Sequence, residues 1–182
     1  ADRLIEKLIP TVEKLKVGPY TAGNDVDYGP VVTAQAAQKI GQLVESGVEQ
    51  GANLVVDGRN FNLQGYENGF FIGAHLFDNV TPDMDIYKQE IFGPVLSTVR
   101  AQSYEEALKL AMDHEYGNGT AIFTRDGDTA RDFANRINIG MVGINVPIPV
   151  PLAYHTFGGW KKSAFGDLNQ HGPDAFKFYT RT

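Results

Sequence analysis

The chain has 182 residues, is 42% apolar and carries a formal charge of −6, which suits an ordinary globular domain with a real core. The acidic balance argues against a nucleic-acid binder, whose footprint is basic, and no apolar run reaches the roughly 18 residues of a membrane span. Cysteine is absent, so a disulfide scaffold, a thiolate metal site and a cysteine nucleophile are excluded within these residues.

Leu4, Ile5, Leu8, Ile9, Val12 and Leu15 recur at helical spacing, and Pro10 is expected to kink or split that helix. The chain opens at Ala1-Asp2-Arg3, directly in this helix and without an initiator Met, and is expected to be a piece of something longer. The segment from Gly18 to Pro30 is rich in Gly, Pro, Asn and Asp and predicts a loop. A second helix follows, with Thr33 as N-cap, Ile40, Leu43, Val44 and Val48 as its buried stripe and Gly51 as a stop.

Leu54-Val55-Val56 predicts a short strand, Gly58 to Gly69 a polar loop, Phe70 to Phe77 a second strand, Asn79 to Asp85 a connection and Val95 to Val99 a third strand. Ser103-Tyr104-Glu105-Glu106 has capping-box spacing and opens a helix carrying Ala107, Leu108, Leu110 and Ala111. Ala121-Ile122-Phe123 predicts a strand, Asp126 to Ile137 a helix closing near Gly140, and Met141 to Val146 another strand. Alternating strands and helices imply crossover units and an α/β fold, three-layered, with a mostly parallel sheet and flanking helices. Pro147, Pro149 and Pro151 then alternate with Val and Ile, which fits an ordered extended loop and neither a helix interior nor a central strand.

Few residues suggest chemistry taken singly. His75, His114, His155 and His171 show no metal-ligand spacing. Gly117-Asn118-Gly119 precedes a strand and lacks the third glycine of a phosphate cradle, so it predicts a tight turn. Tyr104-Glu105-Glu106 places acids at the positive end of a helix dipole, a structural role. Phe157-Gly158-Gly159-Trp160-Lys161-Lys162-Ser163 has two glycines that let backbone approach closely. On composition alone it remains a turn, as does Glu90-Ile91-Phe92-Gly93-Pro94.

Their order carries more. Glu90-Ile91-Phe92-Gly93-Pro94-Val95, then Gly119 to Asp126, then Gly140-Met141-Val142-Gly143-Ile144-Asn145, then Phe157 to Ser163 follow the succession seen in the aldehyde dehydrogenase superfamily, which the chain resembles over essentially its whole length. A finer resemblance, to the CoA-acylating branch that acts on methylmalonate semialdehyde, rests on Asn145 to Leu152, Phe157 to Asp167 and Gln170-His171-Gly172. Thr156 and Ala164 stand where most of the superfamily has Pro and Gly, and look like features of that branch.

The resemblance implies that residues 1–182 are part of a catalytic domain, beginning after the reactive cysteine and without the dinucleotide-binding domain. A thiolate outside this chain would attack the aldehyde, NAD would take the hydride, and the acyl group would lose carbon dioxide and pass to coenzyme A. Alone, the chain is expected to be inactive. The resemblance implies that Glu90 binds the nicotinamide ribose hydroxyls, that Phe92 packs beside the nicotinamide, that Phe157 lines the substrate entrance and that Leu152 and the prolines shape the acyl pocket. Lys161 and Ser163 match family positions and are read as structural; no catalytic residue is expected in this chain and, from the histidine spacing, no metal. The resemblance also implies a homodimer or homotetramer, in the cytoplasm or, in a eukaryote, the mitochondrial matrix. Two alternatives stay open: an ordinary NAD(P)-dependent aldehyde dehydrogenase, and a non-catalytic nucleotide-binding or assembly module.

Overall fold

A computed structural model describes residues 1–181, with Asn24 described by its backbone alone. The chain forms two compact units, Ala1–Arg100 and the remainder from Ala101.

The first unit opens with helix α1, Asp2–Glu13. Of the kink or split expected at Pro10, the split does not occur: the helix runs unbroken through it. Proline removes only the amide that Glu6 would accept, and both Glu6 and Pro10 are exposed, so water meets that carbonyl. After a 3-10 segment at Tyr20–Asp25, helix α2 spans Ala34–Glu49, and Thr33 accepts the Ala36 amide at 3.1 Å as its N-cap. Ile40, Leu43, Val44 and Gly47 face inward, whereas Val48 lies exposed. Gly47 replaces it because any Cβ there would meet Ile86 Cδ1 at 2.8 Å.

Strand β1, Asn53–Val56, pairs antiparallel with β2, His75–Asp78, which pairs parallel with β3, Val95–Ser97. Strand β2 is shorter than expected because residues 70–74 bond elsewhere. The Phe70 carbonyl accepts the Val31 amide at 2.9 Å, and the Ile72 carbonyl accepts the Tyr28 hydroxyl at 2.9 Å. Between β2 and β3 lies a helix that periodicity misses, α3, Asp85–Lys88. Its first amide donates to Gln50 Oε1 at 2.8 Å, while Gln50 Nε2 donates to Asp85 Oδ2 at 2.9 Å. Four residues are too few for a hydrophobic period, so contact with the end of α2 defines this turn. Ile40, Leu43, Val44, Ala52, Phe77, Val80, Met84 and Ile86 form the core. Burying each large side chain contributes about 1.5–3 kcal/mol.

Beneath that core, Asp78 is 97% buried and bonded to Arg100 at 2.6 and 3.0 Å. The guanidinium holds the Asp78 carboxyl down at about 2.

The second unit begins with α4, Tyr104–Asp113, capped by Ser103, which accepts the Glu106 amide at 3.2 Å. The Glu106 carboxylate accepts the Gln102 amide at 2.6 Å, one residue beyond the usual partner in a capping box. Strand β4, Tyr116–Gly117, and strand β5, Gly119–Ile122, are separated by Asn118 alone, so a one-residue bend stands where a tight turn was expected and both glycines belong to strands. Helix α5, Gly127–Arg136, is capped by Asp126, which accepts the Thr129 amide at 2.7 Å. Strand β6, Met141–Ile144, lies parallel to β5. It ends earlier than expected because Asn145 turns to φ 58° and its amide clasps Thr124, accepting at 2.9 Å and donating at 3.0 Å. The proline run is loop, as expected, but it is not extended throughout: residues 147 and 148 bend, and the Val150 amide donates to the Ile148 carbonyl at 2.9 Å.

Strand β7, Trp160–Lys161, pairs antiparallel with β4, and a 3-10 turn at Gly172–Asp174 leads into α6, Ala175–Tyr179. Neither the β4–β7 ribbon nor α6 carries a usable sequence signal. Leu108, Phe133, Ile137 and Ile139 form this unit's buried cluster. The α/β class holds, with the parallel pairs β2–β3 and β5–β6 joined by crossovers that contain α3 and α5.

Candidate functional site

The segment 89–94 leaves α3 at a fixed point, since the Gln89 amide donates to the Asp85 carbonyl at 2.9 Å. It re-enters the sheet at another, where the Pro94 carbonyl accepts the His75 amide at 2.9 Å. Ile91 packs against the core, and Gly93 lies so close to Ile40 that a Cβ would stand 2.5 Å from Ile40 Cδ1. With Ile91 and Gly93 turned inward, Glu90 is exposed and Phe92 is 82% exposed. Glu90 takes part in none of this unit's ion pairs among the described residues.

Phe92 borders a cavity of about 800 Å³, lined also by Ile91, Val95, Leu96, Val31 and Ile72. Two lining residues break its apolar character. Tyr28 has spent its hydroxyl on the Ile72 carbonyl, and burial raises its pKa. His75 is 97% buried, and neither ring nitrogen has a hydrogen-bond partner among the described residues. Burial lowers its pKa, partly offset by the Asp57 carboxylate, so the ring is neutral at neutral pH. Asp57 itself is committed to Arg59, which bridges it to Glu45 at 2.6 and 2.9 Å. Phe92 thus gives the hollow an aromatic face, and Glu90, on the same anchored loop but not among the lining residues, offers two acceptor oxygens. Such a pairing suits a ligand with vicinal hydroxyls and a flat ring.

The other candidates lie in the second unit. Leu152 is 65% exposed within the proline run. Phe157 is half-buried and stacks on His171, with ring centroids 4.5 Å apart and planes 7° from parallel. Gly158 takes up the close approach its sequence suggested, because a Cβ there would fall 2.0 Å from Asn169 Oδ1. Lys161 and Ser163 both serve the backbone. The Lys161 ammonium donates to the Ala111 and Met112 carbonyls at 3.3 and 2.9 Å, and Ser163 Oγ accepts the Gly117 amide at 2.9 Å. Glu90 and Phe92 therefore share one loop of the first unit, and Leu152 and Phe157 one segment of the second. Sequence reading missed His75 and His171. Strand placement buries the first and a contact fourteen residues away engages the second, so spacing gave no sign of either. No cluster of three or more metal-ligating side chains occurs among the described residues, and no helix among them is long and apolar enough to cross a membrane.

Loop and fold together define a class. A model of the aldehyde dehydrogenase family matches residues 1–182, and the chain belongs to that family. Its relatives include the malonate-semialdehyde dehydrogenase of Pseudomonas aeruginosa, 61% identical over 181 residues, covering 100% of this chain and 36% of that protein. The mitochondrial methylmalonate-semialdehyde/malonate-semialdehyde dehydrogenase [acylating] of Bos taurus is 43% identical over 183 residues, covering 100% of this chain and 34% of that protein. A crystal structure from Sinorhizobium meliloti 1021, assigned as a methylmalonate-semialdehyde dehydrogenase and complexed with NAD, superposes with a TM-score of 0.96. It is 73% identical, with 99% of this chain and 36% of that chain covered. The chain thus spans about 36% of the length of the relatives it matches.

Proposed function

We propose that residues 1–182 are part of the catalytic domain of an NAD-dependent, CoA-acylating dehydrogenase. The reaction converts methylmalonate semialdehyde to propionyl-CoA, or malonate semialdehyde to acetyl-CoA. The observation that carries this reading is the outward presentation of Glu90 and Phe92 from a loop fixed at both ends. The substrate and the coenzyme A acceptor are supported by the relatives' names, malonate-semialdehyde dehydrogenase and its acylating mitochondrial counterpart.

Within this reading, the two Glu90 oxygens accept from the two hydroxyls of the nicotinamide ribose. Phe92 covers one face of the ring and limits where its reactive carbon sits. NAD, when bound, supplies the hydride acceptor. Holding reacting atoms in near-attack geometry accounts for much of the barrier reduction in such a transfer, and that positioning is the work assigned to Glu90 and Phe92. Phe157 lines the entrance for the aldehyde and Leu152 shapes the acyl pocket. The attacking thiolate comes from outside this chain, which has no cysteine. The setting is a homodimer or homotetramer in the cytoplasm, or in the mitochondrial matrix of a eukaryote.

Glu90→Gln in the full-length enzyme tests the assignment. The amide keeps one acceptor and loses the charge, so NAD binding should weaken about tenfold, roughly 1.4 kcal/mol, with the thermal unfolding midpoint unmoved. NAD titration reads the first quantity and calorimetry the second. Unchanged NAD affinity together with unchanged turnover removes Glu90 from the cofactor site.

A further inference from the structure

Phe157 does not hold its own position. Its backbone is followed by two glycines, and its ring lies parallel to the His171 imidazole at 4.5 Å and 7°. The two segments that bring these rings together are tied at several points. The Gly172 amide donates to the Ala153 carbonyl at 3.0 Å, and Thr156 Oγ1 donates to the His171 carbonyl at 3.4 Å. Gly172 adopts φ +68°, and a Cβ on it would fall 2.3 Å from the Thr156 amide nitrogen, so the backbones nearly touch. The Asn169 side chain fills the space over Gly158. His171 is thereby delivered against one face of Phe157 by its backbone surroundings.

A phenyl ring on a surface segment exchanges rotamers freely unless a neighbour blocks the swing. A parallel aromatic plate does this, and the stack adds attraction beyond the area it buries. We propose that His171 is a positioning residue whose imidazole backs the Phe157 ring and so sets the width of the entrance through which the short acyl chain of the semialdehyde passes. The proposal rests on the reading of Phe157 as an entrance residue. It assigns His171 a part in discriminating acyl chains that differ by one methyl group, without contact with the reacting atoms.

The test uses the full-length enzyme with NAD and coenzyme A saturating. The readout is the ratio of kcat/KM for malonate semialdehyde to that for methylmalonate semialdehyde. A ratio taken on one preparation is independent of the folded fraction, so a destabilised variant still reports. His171→Ala should change the ratio three- to tenfold and leave the KM for NAD unchanged. His171→Phe, which restores a plate without a titratable group, should return the ratio to within twofold of the parent. In a Phe157→Ala background, His171→Ala should add nothing. An unchanged ratio in His171→Ala, or effects of the two alanine variants that simply multiply, overturns the proposal. If Phe157→Ala alone leaves the ratio unchanged, the entrance role of Phe157 is wrong and the proposal falls with it. That outcome leaves the Glu90 assignment standing, so the two failures are distinguishable.

Discussion

In the unit Ala1–Arg100, a continuous cluster from Ile40 to Ile86 is closed over Phe77. From Ala101 onward, the buried cluster is confined to Leu108, Phe133, Ile137 and Ile139, and everything beyond Asn145 lies outside it. There Leu152 and Phe165 stand 65% and 93% exposed. What orders this stretch is a set of point attachments: Asn145 to Thr124, Ser163 to Gly117, Lys161 to the end of α4, and Gly158 against Asn169. The first unit should therefore respond to lost volume, whereas the later part of the second should respond to a lost or blocked attachment.

The largest effect should come from Phe77→Ala. This side chain is fully buried, and removing its ring should cost about 3–5 kcal/mol. A urea denaturation curve shifted by less than 1 kcal/mol would dissolve the contrast between the units. Gly158→Ala comes next. The new methyl group must displace Asn169 Oδ1, now 2.0 Å from where it would sit, at a cost of about 1–3 kcal/mol. Asn169→Ala in the same chain should recover most of that loss. An equal loss in the double variant would mean that the close approach is not what Gly158 provides.

The smallest effect sharpens the comparison from the acid side. His75 titrates below its ordinary value of 6.5 in the folded unit because burial disfavours its charged form. The unfolded chain therefore binds the proton first, and stability declines as pH falls below about 6.5. Asp78, depressed from 3.8 to about 2, gives the same sign lower down: its contribution is present above 3.8 and lost as pH falls through about 2. His75→Leu removes an unpartnered polar ring from an apolar site and should stabilise the first unit by about 1 kcal/mol at pH 7. It should also flatten the decline that sets in below about pH 6.5 while leaving the Asp78 step in place. Stability curves from about pH 2 to 8 for parent and variant decide it, and an undiminished decline in the variant would clear His75 as its cause.

These contrasts also mark what the sequence can disclose. Thr33 and Ser103 were legible as caps because cap and amide lie three residues apart, whereas Asp126, read as the first helical residue, turns out to be the cap. Glu90 and Phe92 were picked out as a candidate pair because the Gly-Pro break follows them directly and their motif recurs in a known order. By contrast, α3 depends on Gln50, thirty-five residues away, and the β4–β7 ribbon joins Tyr116 to Lys161. The shortened β2 reflects carbonyls claimed by Tyr28 and Val31. Each is fixed by a partner distant along the chain, which no local pattern encodes. The Phe157–His171 stack belongs with these.

The clasp between Gln50 and Asp85 uses both faces of one side-chain amide, oxygen to the backbone and nitrogen to the carboxylate. Hydrolysis of that amide to an acid, a slow chemical change in ageing proteins, would set two carboxylates against each other at the start of α3. The damage would pass within a few residues to the loop carrying Glu90 and Phe92. Under the cofactor role proposed for that loop, a protein kept long in storage would then bind NAD less tightly after a single covalent event at Gln50.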